Sequence, residues 1–282
     1  MTTTSVTGGS AATSTVPVTV GPSDSSLQGE ISSVLAGRSG TLGVAVQNMV
    51  TGVTWSFGSA TAQDEASVVK VNILATLLAS DSGNTSPLSA SQKILAAKMI
   101  EESDNDAATT LWSEVGGSKG IGAFNRSIGL TSTVPSPCLV CANFPWPGWG
   151  LTTSTPLDQL RLLKSIFFAS ANLSPADRAY ILQLMTSVVP AERWGVSAGV
   201  PANASVALKN GWLPLNAAST DWQINSIGWV TGDGRNYLVA LFSTGNPSED
   251  YGIQTLDTVS KLIWQYLGLS VSGAKAQRIA SN

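Results

Sequence analysis

Ser67-Val68-Val69-Lys70 runs directly into Val71-Asn72-Ile73-Leu74-Ala75-Thr76-Leu77-Leu78-Ala79. The run is almost wholly apolar and reads as a buried helix with Ser67 and Lys70 in its first turn. Residues three apart on a helix are neighbours. A serine hydroxyl is a poor nucleophile until a base takes its proton, and a neutral lysine so placed could be that base. Free lysine has a pKa of about 10.4, so burial and a nearby positive charge must lower it. The spacing alone is not specific. Ser272-Gly273-Ala274-Lys275 repeats it in a polar tail, residues 269–282, with no apolar helix behind it.

At 282 residues the chain has room for one large domain or two lobes sharing a core. Charged residues make up only 12% of it, about half the usual share, and the net charge is -3. A nucleic-acid partner would want clustered Lys and Arg, and none is expected. No apolar run reaches the length of a bilayer, so stable membrane insertion is not expected either. Residues 1–26 are rich in Ser, Thr, Gly and Val and read as a flexible leader. The first residues lack the basic and apolar regions of a signal peptide. Such a leader suits the mature end of an exported protein, and a secreted or cell-surface location is expected.

The chain has no histidine. That removes Ser-His-Asp and Cys-His catalysis and most zinc sites. Any acyl transfer here must draw its base from Lys, Glu, Asp or Tyr, and no metal or organic cofactor is implied. The two cysteines, Cys138 and Cys141, sit in a Pro-rich loop. A local disulfide in an oxidising compartment is favoured, with two free thiols as the alternative.

Thr41–Gln47 and Val53–Phe57, joined by Val50-Thr51-Gly52, read as a β-hairpin after a helix near Leu27–Leu35. Helical patterns then fill 67–80, 89–101, 104–115, 118–128, 157–169 and 175–188. Ser174-Pro175 and Thr155-Pro156 are helix starts, with a capping hydroxyl and Pro at the first helical position. Strands return at Val206–Lys209, Ile224–Val230 and Tyr237–Phe242, and a helix over about Ile253–Leu267 closes the chain. The expected class is α+β. An antiparallel sheet flanked by helices (27–66 and 190–268) joins an all-helical lobe (67–189).

Two further clusters carry chemistry. Ser103-Asp104-Asn105 precedes a helix, where Ser or Asp is an ordinary N-cap. Lys209-Asn210-Gly211 ends a predicted strand, where Gly lets the backbone lie close to a ligand. In this order the three clusters resemble the signature set of the penicillin-recognising serine enzymes, Ser-x-x-Lys, Ser-Asp-Asn and Lys-Thr-Gly. The class A β-lactamases are the best match, over about residues 28–268. The resemblance implies an active site in a cleft between the two lobes. Ser67 would be acylated, Lys70 would be its proton partner, and Ser103 would relay a proton to the leaving nitrogen. Asn105 would hold the substrate amide, and Lys209, Asn210 and Gly211 would bind substrate, Lys209 through its carboxylate. The amides of Ser67 and Trp212 would form the oxyanion hole. The implied partner is a small-molecule or peptide-like amide or ester, a β-lactam included, acted on by a monomer.

Three departures qualify this. Asn210 stands where a hydroxyl residue is expected, and the segment from Lys70 to Ser103 is short. The loop 138–150 should carry the Glu that activates the deacylating water, yet it holds no Glu or Asp at all. Glu65 and Glu192 are carboxylates outside the loop that could serve instead. The expected function is therefore a serine acyl-hydrolase with weak β-lactam turnover. The alternatives are a peptidase, esterase or acyltransferase, and a non-catalytic acyl-trapping module.

Overall fold

The computed structural model describes residues 25–81, 88–168, 172–215 and 218–280; the leader up to residue 24 lies outside them. The chain enters through α1 (Ser25–Leu35) and the hairpin β1 (Thr41–Asn48) and β2 (Thr54–Gly58). A two-residue strand, β3 (Gln63–Asp64), leads into the helices α2 (Val69–Asp81), α3 (Ala90–Glu101), α4 (Asn105–Glu114) and α5 (Gly117–Ser127). After a long loop come β4 (Thr153–Ser154), α6 (Pro156–Phe167) and α7 (Pro175–Thr186). The chain returns through β5 (Ser205–Pro214), β6 (Trp222–Gly232) and β7 (Arg235–Asn246) and ends in α8 (Glu249–Ala280).

Five strands form one antiparallel sheet in the order β2-β1-β7-β6-β5. β7 slots beside β1, so the strands before and after the helical insert join in one sheet. Because side chains alternate across a strand, the sheet feeds two cores. Val44, Val46, Val239 and Leu241 face Leu27 and Ile31 of α1 and Leu256, Val259 and Ile263 of α8. Ala45, Leu238, Ala240 and Phe242 face the helical side, where the buried stem of α2 packs.

Local chemistry explains several helix starts. Ser89 and Gln92 close a capping box on α3, Ser174 and Asp177 do so on α7, and Thr155 caps α6 ahead of Pro156. Three boundaries differ from the sequence-based expectation. Ser67 lies on a 3-10 turn, Ala66–Val68, and α2 begins only at Val69. β5 runs on to Pro214, so Lys209-Asn210-Gly211 is mid-strand rather than at a strand end. There ladder pairing with β6 overrides the turn preference of Asn-Gly. α8 continues to Ala280 through the stretch read as a tail, which holds helix formers and no proline.

Gly211 brings β5 against the start of α2. A Cβ there would stand 2.7 Å from Ser67 N, 2.9 Å from Glu65 O and 2.9 Å from Val68 N, all of them backbone atoms that cannot swing aside. Gly29 of α1, by contrast, has nothing within 4 Å of such a Cβ. Gly211→Ala is expected to destabilise the fold by about 1–3 kcal/mol in urea titration, and Gly29→Ala to leave stability unchanged or raise it by about 0.5–1 kcal/mol.

Candidate active site

The edge strand β5, the 3-10 turn at Ser67, the α3–α4 junction and the 138–150 loop converge on one cleft. Its wall includes Ser67, Ser103, Asn105, Trp149, Glu192 and Trp212. Two of its residues sit on or beside left-handed backbone that side chains disfavour: Ala66 at φ 48° and Ser103 at φ 57°. Such conformations cost of order 1–3 kcal/mol each and persist only where the surroundings hold them.

The Ser67 turn is held by backbone groups. Asn225, wholly buried on β6, donates through Nδ2 to Asp64 O at 2.8 Å and to Glu65 O at 2.9 Å. Glu65 N donates to Thr152 O at 2.7 Å. The Ser67 hydroxyl is half-buried, opens onto the cleft and makes no hydrogen bond among the described residues.

Lys70, three residues on, is fully buried, and its hydrogen bonds run to Ser103 and Asn105 rather than to Ser67 Oγ. Its Nζ lies 2.5 Å from Ser103 O, 2.8 Å from Asn105 Oδ1 and 3.1 Å from Ser103 Oγ. Burial first, and then the charge of Lys209, lowers its pKa from 10.5 to about 6, against the opposing pull of Glu192 and Asp104. A neutral amine has two N–H donors and one lone pair. The two carbonyl oxygens can only accept, so they take both hydrogens and leave the lone pair for a hydroxyl proton. Asp104 makes this possible by capping α4 itself, accepting from Ala107 N at 2.7 Å. Ser103 and Asn105, on either side, are left to face Lys70.

Lys209, also fully buried, donates to Ser103 Oγ at 2.8 Å and to Asn210 O at 3.0 Å. Glu192 Oε2 is 3.6 Å from its Nζ. Burial lowers the Lys209 pKa to about 8 in spite of Glu192. Ser103 thus links the two lysines. Asn210 is not part of this cluster. It is buried, and its Nδ2 donates to Glu192 O at 2.7 Å and Trp194 O at 3.1 Å, which uses both amide hydrogens. Gly211 and Trp212 lie beside the Ser67 turn and on the cleft wall respectively.

The cluster has counterparts in known proteins. The sequence profile of a family described as the Beta-lactamase enzyme family matches residues 79–267. The chain belongs to that family. The lipoprotein candidate LppW of Mycobacterium tuberculosis (strain CDC 1551 / Oshkosh) is 31% identical over 223 residues, 76% of this chain and 66% of LppW. The chain therefore spans just under two thirds of the length of that relative. The carbapenem-hydrolyzing β-lactamase KPC of Klebsiella oxytoca is 27% identical over 176 residues, 62% of this chain and 58% of KPC. In three dimensions, a class A β-lactamase from Mycobacterium abscessus superposes with TM-score 0.72 at 20% identity, covering 86% of this chain and 99% of that one. One from Bacteroides cellulosilyticus DSM 14838 gives TM-score 0.72 at 18% identity, covering 86% and 97%. The fold is that of the class A β-lactamases.

This family member handles its 138–150 loop differently from the expectation of a base in that loop. Cys138 and Cys141 form a disulfide. The bridge folds tightly over Gly148, where a Cβ would meet Cys138 O and Cys141 Sγ at 2.3 Å each. That brings Trp149 down over Lys70, with Nζ 4.9 Å from the ring centroid and Nε1 donating to Thr109 Oγ1 at 3.1 Å. An indole covers the amine, and the polar Asn143 of the same loop is exposed. Spacing alone could not have revealed the Asn225 clamp, the Glu192–Lys209 pair or this indole, because each joins distant segments. No group of three or more His, Cys, Asp or Glu residues among the described residues could hold a metal ion.

Glu65, two residues before the serine, turns away from the cleft. Gln159 Nε2 donates to its Oε1 at 2.9 Å, while its buried Oε2 has no hydrogen-bond partner. Burial raises its pKa from 4.5 to about 8, with the charge of Asp158 adding to the rise and the Gln159 hydrogen bond opposing it. The folded state therefore keeps this proton where the unfolded chain has lost it. Its stabilising effect is full below about pH 4.5 and is lost as pH rises through about 8. Urea titrations from pH 5 to 9 should show Glu65→Gln gaining stability relative to the native chain as pH rises toward 8, since the opposite pH dependence of Lys70 is common to both.

Proposed function

We propose that the protein is a serine acyl-hydrolase that forms an acyl-enzyme on Ser67. One observation carries this reading: a buried, deprotonable Lys70, three residues on from Ser67, two of whose hydrogens are held by Ser103 O and Asn105 Oδ1. Ser67 Oγ attacks the substrate carbonyl carbon, and its proton passes to the Lys70 lone pair. The amides of Ser67 and Trp212 receive the charge that develops on the carbonyl oxygen; a donor of this kind is worth roughly 3 kcal/mol in the transition state. As the bond to the leaving nitrogen or oxygen breaks, the proton returns from Lys70 through the Ser103 hydroxyl to that atom. Lys209, charged below about pH 8, stabilises the negative charge passing through Ser103.

Release of the acyl group is the slower half. With no carboxylate in the 138–150 loop and an indole above Lys70, water must be activated by Lys70 itself or by Glu102 or Glu192, the carboxylates on the cleft wall. β-Lactams are accordingly acylating agents with slow turnover. The same feature favours a second reading, in which the acyl-enzyme passes its acyl group to an amine or persists as a trap. The Ser/Thr-rich leader, the disulfide and the likeness to a lipoprotein candidate support export to the cell surface. Among the described residues, no helix is long and apolar enough to cross a membrane.

Intact-mass measurement after exposure to a penicillin or an activated ester tests the reading. One covalent adduct is expected on the native chain and none on Ser67→Ala. An adduct that survives that substitution, or none with either reagent, rules the proposal out. The adduct's lifetime, with and without an added amine, separates hydrolysis from transfer and trapping.

The acylation rate should also follow a bell in pH. It rises through about pH 6, where Lys70 loses its proton and can act as base, and falls above about pH 8, where Lys209 loses its charge. Stopped-flow acylation from pH 5 to 9.5 checks this, and Lys70→Ala should lower the rate by roughly two to four orders of magnitude.

A further inference from the structure

We propose that the cleft selects acyl donors whose acyl group is an uncharged alkyl chain of roughly six to eight carbons, laid along the end of β5. The substrate's direction in the cleft rests on the acyl-transfer reading; the apolar wall itself does not.

In that reading Ser103 returns the proton to the leaving atom, and Lys209 holds its hydroxyl at 2.8 Å. The leaving group therefore lies toward the Lys209 end of β5, where that lysine offers positive potential to any carboxylate it carries. The acids of the wall belong to the same end: Glu102 precedes Ser103, and Glu192 stands beside Lys209. The acyl group points the other way, past Gly211 to Trp212, Leu213 and Pro214, all on the cleft wall. From Gly211 to Pro214 a strand advances about 10 Å, the reach of an extended chain of that length.

This end of the cleft is apolar on both the strand and the loop. Trp222, paired with Pro214 across the ladder, also lines it, and its Nε1 donates to Ser219 O at 2.7 Å, so its one donor is already used. The 138–150 loop supplies Phe144 and Trp146. Phe144 is half-buried yet belongs to neither core cluster, and neither ring stacks on another aromatic among the described residues. Trp146 is 47% exposed. Val140 of the same loop and Leu215, next after Pro214, are exposed as well. These three are half of the six large apolar side chains left in water among the described residues. A soluble protein seldom leaves apolar side chains gathered in water without a use for them. A hydrocarbon chain between the loop and β5 would cover them, gaining about fourfold in affinity for each methylene buried. The cleft, about 360 Å³ in volume, has room for it.

The test compares p-nitrophenyl acetate with p-nitrophenyl hexanoate, which share a leaving group and differ in chain length, each rate being taken relative to its hydroxide rate. Acylation of the native full-length chain, read as nitrophenolate release in a single turnover, should be at least about tenfold more efficient with the hexanoyl ester. Trp146→Ala, a change at an exposed residue, should cut that ratio at least about threefold. Val50→Ala, on the exposed turn between β1 and β2, should leave it unchanged. A second arm needs no chemistry: on Ser67→Ala, followed by tryptophan fluorescence, N-methylhexanamide should bind at least about tenfold more tightly than N-methylacetamide. Equal efficiency with the two esters overturns the proposal, as does a ratio that Trp146→Ala leaves untouched. So does p-nitrophenyl phenylacetate outrunning the hexanoyl ester about tenfold, which would assign the wall to an aryl group. If no ester acylates Ser67, the acyl-transfer reading fails and the amide pair alone decides the alkyl preference. If both esters acylate equally well, only the alkyl preference falls.

Discussion

The structure depends on keeping one amine dry. Lys70 has no exposed surface, and its pKa is lowered from 10.5 to about 6. That condition is unfavourable to the fold, because the unfolded chain would hold the proton throughout the neutral range. The penalty is full below about pH 6 and fades as pH rises toward 10.5. The fold tolerates it because the nitrogen is well partnered. Two carbonyl oxygens take its hydrogens, an indole covers one side, and a second buried lysine supplies positive potential through a shared hydroxyl. Without histidine in the chain, this arrangement is what allows a base to exist near pH 7.

The same demand explains features that look unrelated. Ser103 adopts a left-handed backbone so that its carbonyl and its hydroxyl both reach Lys70. Asp104 takes over the capping of α4, the duty Ser103 would otherwise carry. Gly211 has no side chain because the serine turn occupies that space. The disulfide loop closes on Gly148 and presses Trp149 toward the amine. Trp149 fits the view that dryness beneath the serine is favoured here over a water-activating acid in the loop.

Much of this was legible in the amino-acid order. The apolar run after Lys70 marked α2, Ser174-Pro175 and Thr155-Pro156 marked helix starts, and the alternation around Val53–Phe57 marked a strand. These signals survive because they are local: capping and periodicity act within a turn or a pleat. Local reasoning failed where tertiary contact overrode it. Asn210-Gly211 has the composition of a turn, yet ladder pairing with Ser226 and Asn225 keeps it in a straight strand. Ser67 was expected inside the α-helix, but its turn is anchored from β6 by Asn225, and α2 begins two residues later.

By itself, then, the sequence determined the reagents: a serine and a lysine at helical spacing, a second lysine before a glycine, no imidazole anywhere, and no acid in the loop. Residue identity and short-range spacing suffice for that. Only the tertiary structure decided their charges and their access. Whether an amine is neutral depends on the water excluded around it and on charges far away in sequence, such as Lys209 acting on Lys70. Whether a polar group is free to act depends on which partner reaches it first, as Ser103 Oγ and Asn210 O do for Lys209 and the carbonyls of Glu192 and Trp194 do for the Asn210 amide. Those are properties of packing, and no stretch of the chain read alone contains them.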